Sequence, residues 1–187
     1  ILNVHPGSSK NTMVNAALVA IEFNSMLPSA DTPRDTEEYE GFFHLDAMNG
    51  NVSTAMLDYI IRDHDVASFD CRLKTMEHIA KILNEKWGEG TVKLTITEQY
   101  RNMKEIIDTC MELIDCATAA CKECGTPALI TPIRGGTDGA RLSFMGVPCP
   151  NLGTGGHAFH GPYEHITVEG MDIAVEVGLK IIELFYK

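Results

Sequence analysis

At 187 residues the chain is long enough for one full domain or two small ones with a real core, which argues against disorder. Its 15 Lys and Arg against 26 Asp and Glu leave a net charge of −11, the wrong sign for a nucleic-acid partner or an anionic lipid surface. No apolar run approaches the roughly 20 residues a membrane helix requires, so no membrane partner is expected.

The sequence opens at Ile1 without a methionine or a signal-like leader, the start expected of a fragment. A strand is expected near Leu2 to Val4, leading into His5-Pro6-Gly7, a histidine on a constrained turn. Val14, Leu18 and Ile21 recur at helical spacing between Asn11 and Leu27, and Pro28 stops the run. After a turn-rich acidic stretch, Phe43, Leu45 and Ala47 alternate with polar neighbours up to an Asn49-Gly50 turn signal. Leu57, Tyr59 and Ile61 alternate with Asp58 and Arg62 beyond it, and the two runs read as a hairpin. Phe69, Leu73, Met76, Ala80, Leu83 and Trp87 trace the apolar stripe of a long helix that Gly88 and Gly90 end. Val92, Leu94 and Ile96 then alternate with Lys93, Thr95 and Thr97 as a half-buried strand. The order β-α-β-β-α-β is that of the split βαβ, or ferredoxin-like, arrangement, an antiparallel sheet covered on one side by two helices.

The texture changes near Arg101 to Asp108, dividing the chain into domains 1–102 and 103–187. Thr109 and Glu112 have capping-box spacing and open a helix through Leu113, Cys116, Ala120 and Cys124, closed by Gly125. Short strands are expected from Ala128 to Ile133 and from Cys149 to Leu152, with a short helix between them. A last helix begins near Thr167 and carries Met171, Val175, Leu179 and Ile182 on one face. This half is α/β in texture, and its helices bring more apolar surface than its strands can cover, so it needs a partner sheet. The six cysteines are too sparse for a disulfide scaffold, and free thiols in a reducing, cytoplasmic compartment are expected. Cys121 and Cys124 have the spacing of a redox pair or half a zinc site, but no second pair follows.

Two glycine-rich stretches concentrate polar chemistry. Gly155 to His165 holds three of the seven histidines and Glu164. Imidazole and carboxylate are ligands for zinc, cobalt or manganese, while histidines on a loop more often face solvent or bond to backbone than ligate. Arg134-Gly135-Gly136-Thr137-Asp138-Gly139 lacks the lysine of a phosphate loop. It suits a carboxylate held by the Arg134 fork, or else a tight turn in which Asp138 caps a helix. Arg62 beside Asp58 has the ordinary surface ion pair as its competing explanation.

The stretch RGGTDGARLSFMGVPCPN from Arg134 to Asn151, with the following TGG and FHGPYEHITVEGM, resembles the peptidase T family. These are tripeptide aminopeptidases within the dinuclear zinc group that also holds aminoacylases and glutamate carboxypeptidases. His5-Pro6-Gly7 with Lys10, Tyr39 to Phe42, Tyr59 to Asp63 and Tyr100 to Met103 extend the likeness over nearly the whole chain. The resemblance implies that residues 1–102 are a lid or dimerisation domain and 103–187 the C-terminal segment of an α/β catalytic domain. It implies that His160 is a zinc ligand, that His5 stabilises an oxyanion, and that Arg62 and Arg134 hold the substrate's carboxylate. His157 and His165 fall where the family has no ligand. The family's His-x-Asp segment, bridging aspartate, Glu-Glu pair and further aspartate have no match, so one of the five ligands for two zinc ions is present and the general base is not. The expected function is that of a part of a tripeptide aminopeptidase, homodimeric through the lid and inactive alone. The alternatives are a non-catalytic dimerisation module and an N-acyl amino acid hydrolase or carboxypeptidase.

Overall fold

Ile1–Thr97 and Glu98–Lys187 form separate units in the computed structural model, which describes residues 2–97 and 102–186. Tyr100 and Arg101, part of one segment that carries the resemblance, lie outside the described residues.

The first unit packs two helices on a hairpin. Helix α1 (Ala16–Ser25) starts at Asn15, whose side-chain oxygen accepts from the Ala17 and Leu18 N–H groups. Its buried face is Ala16, Val19, Ala20 and Phe23, whereas Leu18 and Ile21 are more than half exposed. Of the expected face, Val14 packs on the core while Leu18 and Ile21 do not. Apolar residues run all the way round this helix, so period alone does not choose a side. Strands β1 (Phe42–Gly50) and β2 (Ala55–Arg62) pair antiparallel, with Phe43 opposite Ile61 and Leu45 opposite Tyr59. Asn49 and Gly50 lie inside β1; the turn is made by 51–54, where the Asn51 side chain accepts from the Ser53 and Thr54 N–H groups. Helix α2 (Val66–Trp87) is capped by Asp65 and ends at Gly88, whose φ of 107° suits glycine. Its stripe of Met76, Ile79, Ala80 and Leu83 closes a core with Val19, Phe23, Leu27 and Phe43.

Glu22 joins the two helices, accepting from Lys86 Nζ and from Trp87 Nε1. First the Lys86 and then the Trp87 hydrogen bond holds its carboxyl below the usual 4.5. A carboxyl with a lowered folded-state pKa stabilises the fold above its unfolded pKa, and this contribution fades as pH falls through and below 4.5. Glu22→Gln is expected to flatten that acid limb, read by the fluorescence of Trp87; an unchanged pH dependence would contradict the assignment.

Two expected strands of this unit are not formed. Residues 2–4 and 92–97 are extended or bent without a ladder. Val92 instead spends both backbone groups on one side chain, its N–H donating to Asn84 Oδ1 and its carbonyl accepting from Asn84 Nδ2. The alternation sorts the first four residues, with Val92 and Leu94 packed on the core and Lys93 and Thr95 exposed, and then lapses at Ile96, which is exposed. Period 2 needs only a burying face, but a strand needs a neighbour to satisfy its backbone. The mixed α/β class stands, with two-stranded antiparallel sheets and an α-β-β-α order in this unit.

In the second unit α3 (Lys104–Ile107) precedes α4 (Glu112–Glu123), and Thr109 does not cap α4. Its hydroxyl donates back to the Ile106 carbonyl, so the capping-box expectation fails at the first residue. The expected face of α4 does pack, with Cys116 reaching the Ile181 carbonyl of α6 (Val168–Tyr186). Lys180 pairs with Glu123 across the same contact. Helix α6 is apolar on two sides. Val177 is buried and Ala174, Gly178, Ile181 and Leu184 are half-buried, while Met171, Val175, Leu179 and Ile182 are exposed. The expected strands at 128–133 and 149–152 are likewise absent, and Leu129 and Ile130 are 81% and 71% exposed. They have strand sequence and no sheet to join. All six cysteines are free thiols, and among the described residues no helix is long and apolar enough to cross a membrane.

Candidate functional site

His5 sits at the mouth of a single 3₁₀ turn, Pro6–Ser8, where proline fixes φ and the ring folds back over the turn. The Gly7 N–H donates to His5 Nδ1 at 3.1 Å. Because that bond occupies the Nδ1 lone pair, the ring proton lies on Nε2, and the exposed histidine presents a donor. Arg62 ends β2, opposite Phe42 in the ladder, and its Nη1 donates to the Ile61 carbonyl at 3.0 Å. Both lie in the first unit, on separate elements.

Arg134 and His160 lie in the second. Arg134 is half-buried in the stretch before α5 (Asp138–Phe144). Thr137, not Asp138, caps this helix, its hydroxyl accepting from the Ala140 N–H, and Asp138 is the first helical residue. The turn is held from beneath. Buried Ser143 donates to the Gly139 carbonyl and accepts from the Cys149 N–H. A Cβ on Gly139 would collide with the Cys149 carbonyl and come within 2.8 Å of Asn151 Oδ1, so glycine is needed for close approach, not for φ.

The histidine loop is closed by β3 (Gly156–His157) and β4 (His165–Ile166). Between them Ala158 and His160 adopt φ of 54° and 62°, a left-handed backbone that side chains disfavour. The Glu164 carboxylate accepts from the His160 N–H at 3.0 Å and secures that conformation. The sequence offers Glu164 as a candidate carboxylate ligand, whereas here it clasps the backbone four residues before it. Among the described residues no three of His, Cys, Asp and Glu gather closely enough to hold a metal ion. The side chains present therefore do not fit a complete zinc centre, whose tetrahedral shell His160 alone leaves mostly unfilled. A shallow groove between α2 and residues 92–96, lined by Glu77, Asn84 and Leu94 among others, contains none of these candidates.

Residues 1–91, which contain the helix-backed hairpin, match the family described as the peptidase dimerisation domain. The likeness then extends past it. Peptidase T of Alkaliphilus oremlandii is 52% identical over 185 residues, 99% of this chain and 45% of that protein. Peptidase T of Clostridium perfringens is 53% identical over 183 residues, 98% of this chain and 45% of that one. The crystal structure of aminopeptidase PepT from Bacillus cereus shares the fold at a TM-score of 0.64, with 18% identity, over 98% of this chain and 49% of that one. The chain is similar to the peptidase T sequences along the stretch they share, and it spans about half the length of the curated relatives it matches.

Proposed function

We propose that this chain supplies the lid and the C-terminal catalytic segment of a cytoplasmic aminopeptidase that releases the N-terminal residue of tripeptides. The observation that carries this reading is the alignment with proteins called peptidase T along 99% of the chain. The exposed apolar stripe of α6 and the bare strand-like residues Leu129 and Ile130 support it, being what one part of a larger sheet domain presents. In this reading zinc and the general base are completed by residues outside this chain, and His160 is one ligand. His5 donates from Nε2 to the developing oxyanion, and Arg62 and Arg134 grip the peptide's C-terminal carboxylate by charge-assisted bonds. The first unit pairs with a second copy, as the matched dimerisation family supports.

The 187 residues alone are expected to leave tripeptides intact and to sediment as a dimer. Joined to the portion of the Clostridium perfringens peptidase T that the alignment leaves out, they are expected to restore tripeptide hydrolysis. In that chimera His5→Ala should lower kcat by about 10²–10³-fold with little change in KM, the cost of a lost oxyanion donor. A chimera that cleaves N-acyl amino acids and spares tripeptides would overturn the substrate assignment. A chain that stays monomeric at high micromolar concentration would overturn the dimer.

A further inference from the structure

His157 and His165 take no part in the reading above, yet they are the most closely matched pair of histidines in the fold. They stand directly opposite each other in the β3–β4 ladder. Residues opposed in this way have Cβ atoms about 4.5–5.5 Å apart, the reach over which two side chains share one ligand. Their ring centroids are 5.3 Å apart with planes inclined by 26°, and both side chains are exposed. His165 Nδ1 lies 2.8 Å from the Tyr163 carbonyl. A carbonyl only accepts, so Nδ1 carries the proton and the neutral ring keeps its lone pair on Nε2. A backbone carbonyl on one ring nitrogen, fixing the tautomer while the other nitrogen stays open, is the arrangement that orients metal-bound histidine.

We infer that His157 and His165 form a two-imidazole chelate for a divalent transition ion of the nickel, copper or zinc class. Imidazole pairs favour these ions over calcium or magnesium, which prefer oxygen. The stacked rings need only a turn about χ2 to point two in-plane lone pairs at one ion, and that sp³–sp² torsion is broad and soft. Two protein donors are enough for such a chelate, with water completing the ion's coordination. Its consequence is mechanical. The two strands it bridges are two residues each, a pairing that is marginal in water, and they flank the loop whose strained residue is His160. An ion across His157 and His165 ties that loop at its base.

Nickel chloride alone, added to the 187-residue chain and followed by the histidine ring NMR signals, tests this. Paramagnetic Ni²⁺ is expected to broaden His157 and His165 together, at a concentration at least tenfold below that needed for the other five of the seven histidines. His157→Phe keeps an aromatic ring in the stack but removes one donor, and it should return His165 to the range of the others. The reciprocal His165→Phe, read at His157, asks the same question from the other strand. His165 broadening at the wild-type concentration in His157→Phe would overturn the chelate. Loss of the joint broadening in His160→Ala would do so as well, since the ion would then belong to His160.

Discussion

Leu83→Ala is expected to destabilise the first unit by about 3–5 kcal/mol, toward the upper end for truncating a buried leucine. Leu83 is 0% exposed and sits where α2 meets both α1 and the hairpin. The core it belongs to draws on four other segments, through Val19 and Phe23, Phe43, Ile61 and the partly buried Leu94. A cavity walled by four segments closes poorly, because no single element can shift inward without losing its other contacts. The chain's one tryptophan, Trp87, packs on this core, so urea unfolding followed by its fluorescence reports on this unit. The expected result is a lower midpoint with an unchanged slope. Leu18→Ala is the companion measurement. At 62% exposed, Leu18 should cost no more than about 0.5 kcal/mol. A cost at Leu18 close to that at Leu83 would mean that α1 buries the opposite face.

That comparison marks where sequence reading holds and where it stops. The stripe on α2 was legible because its other face is polar, whereas α1 is apolar on both sides and offers the period no contrast. The hairpin was legible from alternation, but its turn was misplaced. Asn49-Gly50 is the stronger two-residue signal, yet Asn51 can bond two backbone N–H groups and builds the turn there. The runs at 92–97, 128–133 and 149–152 have strand composition without strand structure, since a ladder is a property of two segments and cannot be read from one. The candidate residues show the same division. The geometry at His5 follows from Pro6 and Gly7 beside it, but the Glu164 clasp on His160 and the Ser143 tie under the Arg134 turn depend on loops folding back. What sequence did anticipate correctly was a deficit: helices in the second half with more apolar surface than local strands could cover, now seen as the open face of α6.

Arg72→Ala is expected to cost about 3–5 kcal/mol by stranding a carboxylate rather than by emptying space. Arg72 Nε donates to Asp63 Oδ2 at 2.8 Å and Nη1 donates to Asp31 Oδ2 at 2.5 Å, with its guanidinium 5.1 Å from the centre of the Phe43 ring. The Asp63 side chain is 5% exposed and Asp31 is 35%, so removing the cation leaves the Asp63 carboxyl without its guanidinium partner in a site that water barely reaches. The surface pair Lys81–Glu85, both ends largely exposed, provides the contrast and should be worth well under 1 kcal/mol. If stranding is the cause, Asp63→Ala combined with Arg72→Ala should cost less than the sum of the two single changes, and the coupling should persist in high salt. Additive losses would instead point to packing against Phe43. Gly41 supplies an independent check, because a Cβ there would run into the Asp63 carboxylate and lie 2.6 Å from Arg72 Nε. Gly41→Ala should therefore weaken the same clasp while leaving every charge in place. The clasp closes the end of the ladder where Phe42 faces Arg62, one residue before Asp63. Loosening it should shift the Arg62 backbone NMR signals in both Arg72→Ala and Gly41→Ala, and leave those of Asn51 at the far turn unmoved.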